Sequence, residues 1–496
     1  MRGLRAVTLP ALQPTGAMPT TGIQAGLTLG LSVLAGLALV LSPDWWIAFG
    51  LLGVAALTAF GLIQPALFLA LFLIVRPVLD QFSQVTAGVP SANVGGALGG
   101  LLLAITIVVL ALRRRGVRVP GTAPLVAVAL VSALAAVLAQ YELGSQVGTR
   151  AIGEIVRLAA LVAVFVLAAH MTTSEAKART LFVVVALSAL VPTCWGIGEF
   201  IVGAPTKETE TVARISGTFT GPVPFGAFLA FAALLLIFGP LERLPGWFRW
   251  TFLALTLFAL MESFSRVGWV LFLLGMVILA WPKQKRLVGA IVAGVVIVML
   301  VSPDVRQRAL PVGSDEPTAS SSSAGYESFG WRLENWGGLL EQWSEKPLLG
   351  YGLDSTTFVN TRAPVGFDSA TGGGFAAHNM IVRILVEGGV VLLIVYLAYF
   401  AFVIRRMWRL SRASWPLADA ARLLMVVWCL TLVTGATTDD PFTLTAVMVG
   451  MLALTGALEG AWRSATLEQR ASARAEAPGY RPGAFWRPAA PGSGAG

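Results

Sequence analysis

Few residues in this chain have the types that do chemistry. There are two histidines in 496 residues, and one stands in Gly373-Gly374-Phe375-Ala376-Ala377-His378-Asn379-Met380. That stretch runs from a long polar loop into an apolar run of membrane-spanning length. Imidazole is the side chain whose unperturbed pKa lies nearest neutrality, so a histidine there can take and return a proton at working pH. Four arginines are placed as unusually. Arg76 ends an apolar run in Arg76-Pro77-Val78-Leu79-Asp80, and Arg157 lies one turn after Glu154 inside another. Arg214 precedes Ser216-Gly217-Thr218-Phe219, and Arg266 follows Ser265 where a further run begins. Ionisable groups at membrane depth are costly and mark functional sites by default. A guanidinium fork matches phosphate oxygens and stays charged at any pH. A ring of outward arginines in an apolar wall is what a lipid-linked diphosphate would need.

Each residue also has a plainer reading. Arg157 can simply pair with Glu154, and Arg76 can pair with Asp80 or reach toward the headgroups. His170, at the end of an apolar run, offsets a helix dipole. Asp439-Asp440 is a weak metal signal, and a solvated turn before Pro441 accounts for it. Cys194 and Cys429 both lie in apolar runs and read as small buried hydrophobes, not a disulfide or metal framework. There is no phosphate-binding glycine loop for a nucleotide. An enzyme facing outward without that energy source needs a pre-activated donor.

The elements that must position these groups are membrane spans. The chain is 56% hydrophobic and 12% charged, against about 25% charged for a soluble domain. Apolar runs fall near 22–41, 45–60, 62–75, 94–112, 123–139, 151–169, 180–202, 222–239, 248–264, 266–281, 287–302, 380–404, 417–438 and 441–461. With some merging or tilting, that predicts an all-α polytopic membrane protein of about twelve to fourteen transmembrane helices.

The net charge of +9 does not indicate nucleic acid, because much of it lies in short loops that set orientation. Arg113–Arg118, Lys177 with Arg179, Lys283–Arg286 and Arg405–Arg409 are expected on the cytoplasmic side. Segments 76–93, 140–150, 203–221, 303–379 and the turn at Asp439 then lie outside, with a tight outer turn from Glu262 to Arg266. The expected organisation is a cytoplasmic tail over 1–21 rather than a cleaved signal, a transmembrane bundle over 22–302, and one large outer loop over 303–379 carrying His378. C-terminal spans over 380–462 and a disordered cytoplasmic tail over 463–496 follow. Within the loop, Trp331, Leu333, Trp336, Leu339, Leu340 and Trp343 alternate with polar residues, which predicts a short amphipathic helix on the membrane face.

The ordered set of Arg214-Ile215-Ser216-Gly217-Thr218-Phe219 with Gly221-Pro222, Ser265-Arg266-Val267-Gly268-Trp269, Pro347-Leu348-Leu349-Gly350-Tyr351-Gly352, and Ala377-His378-Asn379 with Glu387-Gly388-Gly389 resembles the O-antigen ligase and O-antigen polymerase superfamily. The likeness covers about residues 200–400, with a looser fit upstream at Arg76-Pro77. It departs at Gly221-Pro222-Val223-Pro224, where the family often has Asn after Pro, and in about one extra helical pair in the N-terminal half.

The resemblance implies an integral glycosyltransferase of GT-C type, metal-independent, inverting and without a cofactor. It would work on the outer face of the inner (cytoplasmic) membrane, among membrane lipids. Its donor would be a polyprenyl-diphosphate-linked glycan and its acceptor a glycan or glycolipid. His378 matches the family's loop histidine, thought to activate the acceptor, and Arg214 and Arg266 match its diphosphate-binding arginines, with Arg76 and Arg157 as further candidates. Gly350, Tyr351, Gly352 and Asn379 fall in the loop that meets substrate. Polymerisation of lipid-linked repeat units is the first alternative. A transporter or flippase of lipid-linked sugars is the second, although no internal repeat supports it.

Overall fold

The computed structural model describes residues 45–80, 94–112, 119–203, 214–281, 329–360, 376–436 and 445–475, with a few single positions between 285 and 294. Several expectations fall outside the described residues: the tail over 1–21, the runs at 22–41 and 287–302, most of the 303–379 loop, and Asp439-Asp440. All regular elements among the described residues are helices. In chain order they are α1 (Trp45–Ile63), α2 (Pro65–Val78), α3 (Val94–Leu112), α4 (Thr122–Leu143), α5 (Ser145–Met171), α6 (Glu175–Leu187), α7 (Leu190–Val202) and α8 (Pro222–Phe238). There follow α9 (Gly246–Glu262), α10 (Arg266–Ala280), α11 (Phe329–Glu345), α12 (Thr356–Val359), α13 (Met380–Ser411), α14 (Ala418–Gly435) and α15 (Thr445–Ala475).

Among the described residues, six segments are long and apolar enough to cross a membrane: α4, Val147–Met171 of α5, Glu175–Val202, α13, α14 and Thr445–Arg470 of α15. Shorter apolar helices join them, including α2, α8 and α10. The chain is thus an all-α polytopic membrane protein. In lipid every backbone polar group must be satisfied within the protein, and helices do this segment by segment.

The run at 180–202 is one span in two pieces, α6 and α7, which meet at Ser188-Ala189. The run at 380–404 is likewise interrupted, at Gly389 with φ 60° and ψ −164°. Hydropathy sees neither break, since both halves of each remain apolar.

The centre of the bundle is α8, α15 and the inner half of α5. Helix α8 starts with Pro222 in its first turn, where a missing N–H costs nothing, and is buried on nearly every side from Phe225 to Leu236. Helix α15 meets α5 through Gly456 and Gly460. A Cβ at Gly456 would lie 2.4 Å from the Phe165 carbonyl oxygen, and one at Gly460 would lie 2.2 Å from that of Ala169. Small residues four apart let two membrane helices touch backbone to backbone, where dispersion rather than water exclusion holds them. Helix α14 joins this core through Trp428, whose Nε1 donates to Thr455 Oγ1 at 3.1 Å. Rings of Tyr399, Phe400 and Trp428 pack edge to face there.

Two expectations need correcting. The tail expected to be disordered from Arg463 begins as helix, because α15 continues to Ala475. The Ala, Arg, Glu and Leu there are all strong helix formers. Cys194, expected to be buried, is exposed on α7, while Cys429 is half-buried; both are free thiols. On a membrane helix an outward face meets lipid, so a small apolar side chain is at home there.

Candidate functional site at one end of the bundle

The first group forms around the loop Arg214–Thr218. Glu199, in the last turn of α7, accepts the backbone N–H groups of Ser216 and Gly217, both at 2.9 Å and both on Oε2. Gly217 has φ 58°, the left-handed turn that points successive N–H groups the same way. Thr218 Oγ1 donates to the Pro77 carbonyl at 2.8 Å, which fastens the loop to α2 one residue after Arg76. The Ile215 N–H reaches the Glu262 carbonyl at 3.4 Å. Arg214, which is buried, donates from Nε to the Ser263 carbonyl at 3.3 Å and from Nη2 to the Phe264 carbonyl at 3.5 Å.

Those carbonyls belong to the tight turn expected between Glu262 and Arg266. Ser265 caps α10 by accepting the Gly268 N–H at 3.2 Å. Helices α8 and α10 cross closely: a Cβ at Gly226 would stand 2.3 Å from Ser265 Cβ, and one at Gly268 would stand 2.6 Å from the Gly226 carbonyl oxygen. Arg266 is the first residue of α10 and is exposed. Arg76 is buried and paired with Asp80 at 3.2 Å. The structure therefore brings Arg76, Arg214 and Arg266 to one end of the bundle, each on an element directly bonded to the next.

The second group surrounds His378. Asn379 caps α13, its Oδ1 accepting the N–H groups of Ile381 at 2.9 Å and Val382 at 3.2 Å. His378, one residue earlier, is half-buried with φ 47°. Helix α11 grips the chain just before it. Trp336 Nε1 donates to the Ala377 carbonyl at 2.7 Å, and Asn335 Nδ2 donates to that of Ala376 at 3.2 Å. The expected amphipathic helix exists, and its apolar side, with Leu339 fully buried, packs against the start of α13.

The Pro347–Gly352 segment fills the break in α13. An unbroken helix would bond the Val390 N–H to Val386 and the Val391 N–H to Glu387. Instead these amides go to the carbonyls of Pro347 (2.9 Å) and Leu348 (3.3 Å). The released carbonyls of Val386 and Glu387 accept from Tyr351 (2.8 Å) and Gly352 (2.9 Å). Each lost helix bond is thereby replaced, as buried backbone demands. The approach is so close that a Cβ at Gly350 would lie 2.4 Å from the Val386 oxygen, and one at Gly352 would lie 2.3 Å from Ala139 Cα. Both glycines thus have a packing reason to be there. Tyr351 donates its hydroxyl to Glu345 at 2.6 Å. Burial, then Glu345, pushes its pKa up to about 12.

Arg157 pairs with Glu154, the plainer of its two readings. The same carboxylate lies 3.9 Å from Arg383, which donates to buried Glu387 at 2.9 Å. Thr356 Oγ1 completes the chain at 2.9 Å from Glu387. Arg157 is therefore linked through Glu154 to Arg383 on the helix that follows His378. Sequence reasoning missed the roles of Arg383 and Glu387, although their four-residue spacing was visible. It also missed Glu199, a lone carboxylate near the end of an apolar run.

Phe264, Asp354 and His378, the positive-φ residues other than glycine among those described, all sit at this end. Such conformations are costly and collect where surrounding structure enforces a geometry. The opposite end carries Arg179 bonded to Glu242, Arg406 bonded to Glu459, and the exposed rings of Trp247, Trp250, Trp281 and Trp408.

In comparison with known proteins, residues 251–397 match the family described as O-antigen ligase. The match runs from α9 to the middle of α13, taking in Arg266, the Pro347–Gly352 segment and His378. No curated protein matches the chain significantly.

Proposed function

We propose, from the membership of the O-antigen ligase and polymerase superfamily that residues 251–397 support, that this membrane protein moves a glycan from a polyprenyl-diphosphate carrier to an acceptor hydroxyl on the non-cytoplasmic side. The observation that carries the reading is the joining of Arg214 to the turn that starts α10 at Arg266. Two guanidinium groups beside a helix N-terminus favour an anion twice over, by charge and by dipole.

The acceptor oxygen attacks the anomeric carbon as His378 takes its proton, and the bond from that carbon to the diphosphate oxygen breaks. The electron pair leaves on the diphosphate, and the anomeric centre inverts. Arg214 and Arg266 offset the charge that develops on the leaving group, which is usually the largest catalytic term. General base assistance by His378 adds about 10²–10⁴-fold. Helix α11, bonded to Ala376 and Ala377, covers the approach to the histidine. Orientation is supported by the arginines at the opposite end, Arg179, Arg405, Arg406 and Arg409, since basic residues favour the cytoplasmic side.

The test is transfer by purified protein from a synthetic polyprenyl-diphosphate sugar. His378→Ala should lose at least 100-fold in kcat while donor still binds. Arg214→Ala and Arg266→Ala should raise the donor KM about tenfold or more. Full turnover in the histidine variant, or unchanged donor KM in both arginine variants, refutes the assignment. Product length in the same assay separates a single transfer from polymerisation.

A further inference from the structure

We infer that Glu199 is a positioning residue for Arg214, a role that rests on the reading of Arg214 as a diphosphate-binding group. Arg214 lies in a loop, and loops are ordinarily the least constrained part of a membrane bundle. This one is fixed from three sides. Thr218 is bonded to Pro77 of α2, Ile215 to Glu262 of α9, and the two residues between them to Glu199 of α7. The first two contacts are single bonds at the loop's flanks.

Glu199 supplies two bonds from one oxygen, at 2.9 Å each, to the consecutive N–H groups of Ser216 and Gly217. The carboxylate is itself held, since Trp195 one turn earlier on α7 also hydrogen-bonds it.

Two consecutive amides converging in this way make an anion-binding concavity. With Glu199 in it, the concavity serves the protein's own carboxylate and not the donor. The donor's anion is left to the side chains of Arg214 and Arg266. Glu199 thus sets the path of the chain two residues after Arg214, and so the angle at which that side chain leaves toward the Ser263 and Phe264 carbonyls. An arginine misplaced by an ångström binds its anion poorly, and positioning errors of that size are expensive in rate.

The experiment is a double-mutant cycle on the full-length protein, using the synthetic polyprenyl-diphosphate sugar as donor. Glu199→Ala should lower kcat/KM for the donor about tenfold or more while leaving the acceptor KM unchanged. Glu199→Gln, which keeps an oxygen at the same reach, should stay within about threefold of wild type. Glu199→Asp, which keeps the charge but falls one methylene short, should behave like the alanine variant and carries the test if that variant does not fold. Glu199→Ala combined with Arg214→Ala should be no worse than Arg214→Ala alone, within about twofold, because residues acting through one another are not additive. For Asp, the same cycle with Arg214→Ala applies.

Independent, multiplying losses overturn the inference, as does retention of activity by Asp with loss by Gln. If Arg214→Ala is itself fully active, the diphosphate reading of that arginine fails. If Arg214→Ala is impaired and the Glu199 variants are not, only the positioning role fails.

Discussion

Gly389 stands against Leu348 so closely that a Cβ on the glycine would lie 2.2 Å from the Leu348 carbonyl carbon and oxygen. This contact closes the seam between the Pro347–Gly352 segment and the break in α13. It holds the helix that begins two residues after His378. Gly389 also has φ 60° and ψ −164°, a conformation essentially restricted to glycine.

Gly389→Ala therefore meets both a steric and a conformational penalty, expected to total about 3 kcal/mol or more. Gly337 in α11 is the matched control, since a Cβ there meets nothing within 4 Å. Gly337→Ala should be neutral or gain about 0.5–1 kcal/mol from helix entropy. Thermal unfolding of both variants in detergent checks the contrast; equal stability would mean that the seam is loose.

What the sequence made legible follows from what each signal measures. Spans were legible because lipid demands long apolar runs, and the starts of α9, α10 and α14 fall within a few residues of the expected runs. The breaks at Ser188-Ala189 and Gly389 were not, because they conserve hydropathy, and the one at Gly389 depends on the Pro347–Gly352 segment about forty residues earlier. The Arg157–Glu154 pair was legible at helical spacing. The partners of Arg214 were not, since Ser263 and Phe264 offer only backbone carbonyls, about fifty residues away. Glu199 gave a signal, a single carboxylate in an apolar run, whose meaning depends on the fold of the next loop.

Tyr351 links the same seam to pH. Its hydroxyl donates to Glu345, and burial, then that carboxylate, pushes the pKa up to about 12 from the ordinary 10. The neutral phenol is thus the form the fold prefers. The associated stability is fully present below pH 10, the unfolded value, and is lost as pH rises from 10 toward 12. Ultraviolet titration should show an ionisation step near pH 12 that belongs to Tyr351. Tyr351→Phe should remove that step and unfold with a shallower alkaline dependence between pH 10 and 12. An identical slope for both proteins would show that the phenol ionises freely.

At the opposite end, Glu459 is almost completely buried in α15 and accepts two bonds from Arg406, at 2.6 and 2.8 Å. The pair joins the end of α13 to the helix that carries Gly456 and Gly460. A buried pair is weak evidence of net stabilisation, because taking both charges out of water costs about what their attraction returns. Removing one partner is different, since it strands the other charge. Arg406→Met alone and Glu459→Met alone should each destabilise by about 3–5 kcal/mol. The double replacement, which leaves no stranded charge, should come back to within about 1 kcal/mol of wild type or exceed it. Because this end lies away from His378, the double variant should also keep its donor KM. A double variant as unstable as the singles would mean that the pair holds α13 against α15 by a specific geometry that apolar packing does not replace.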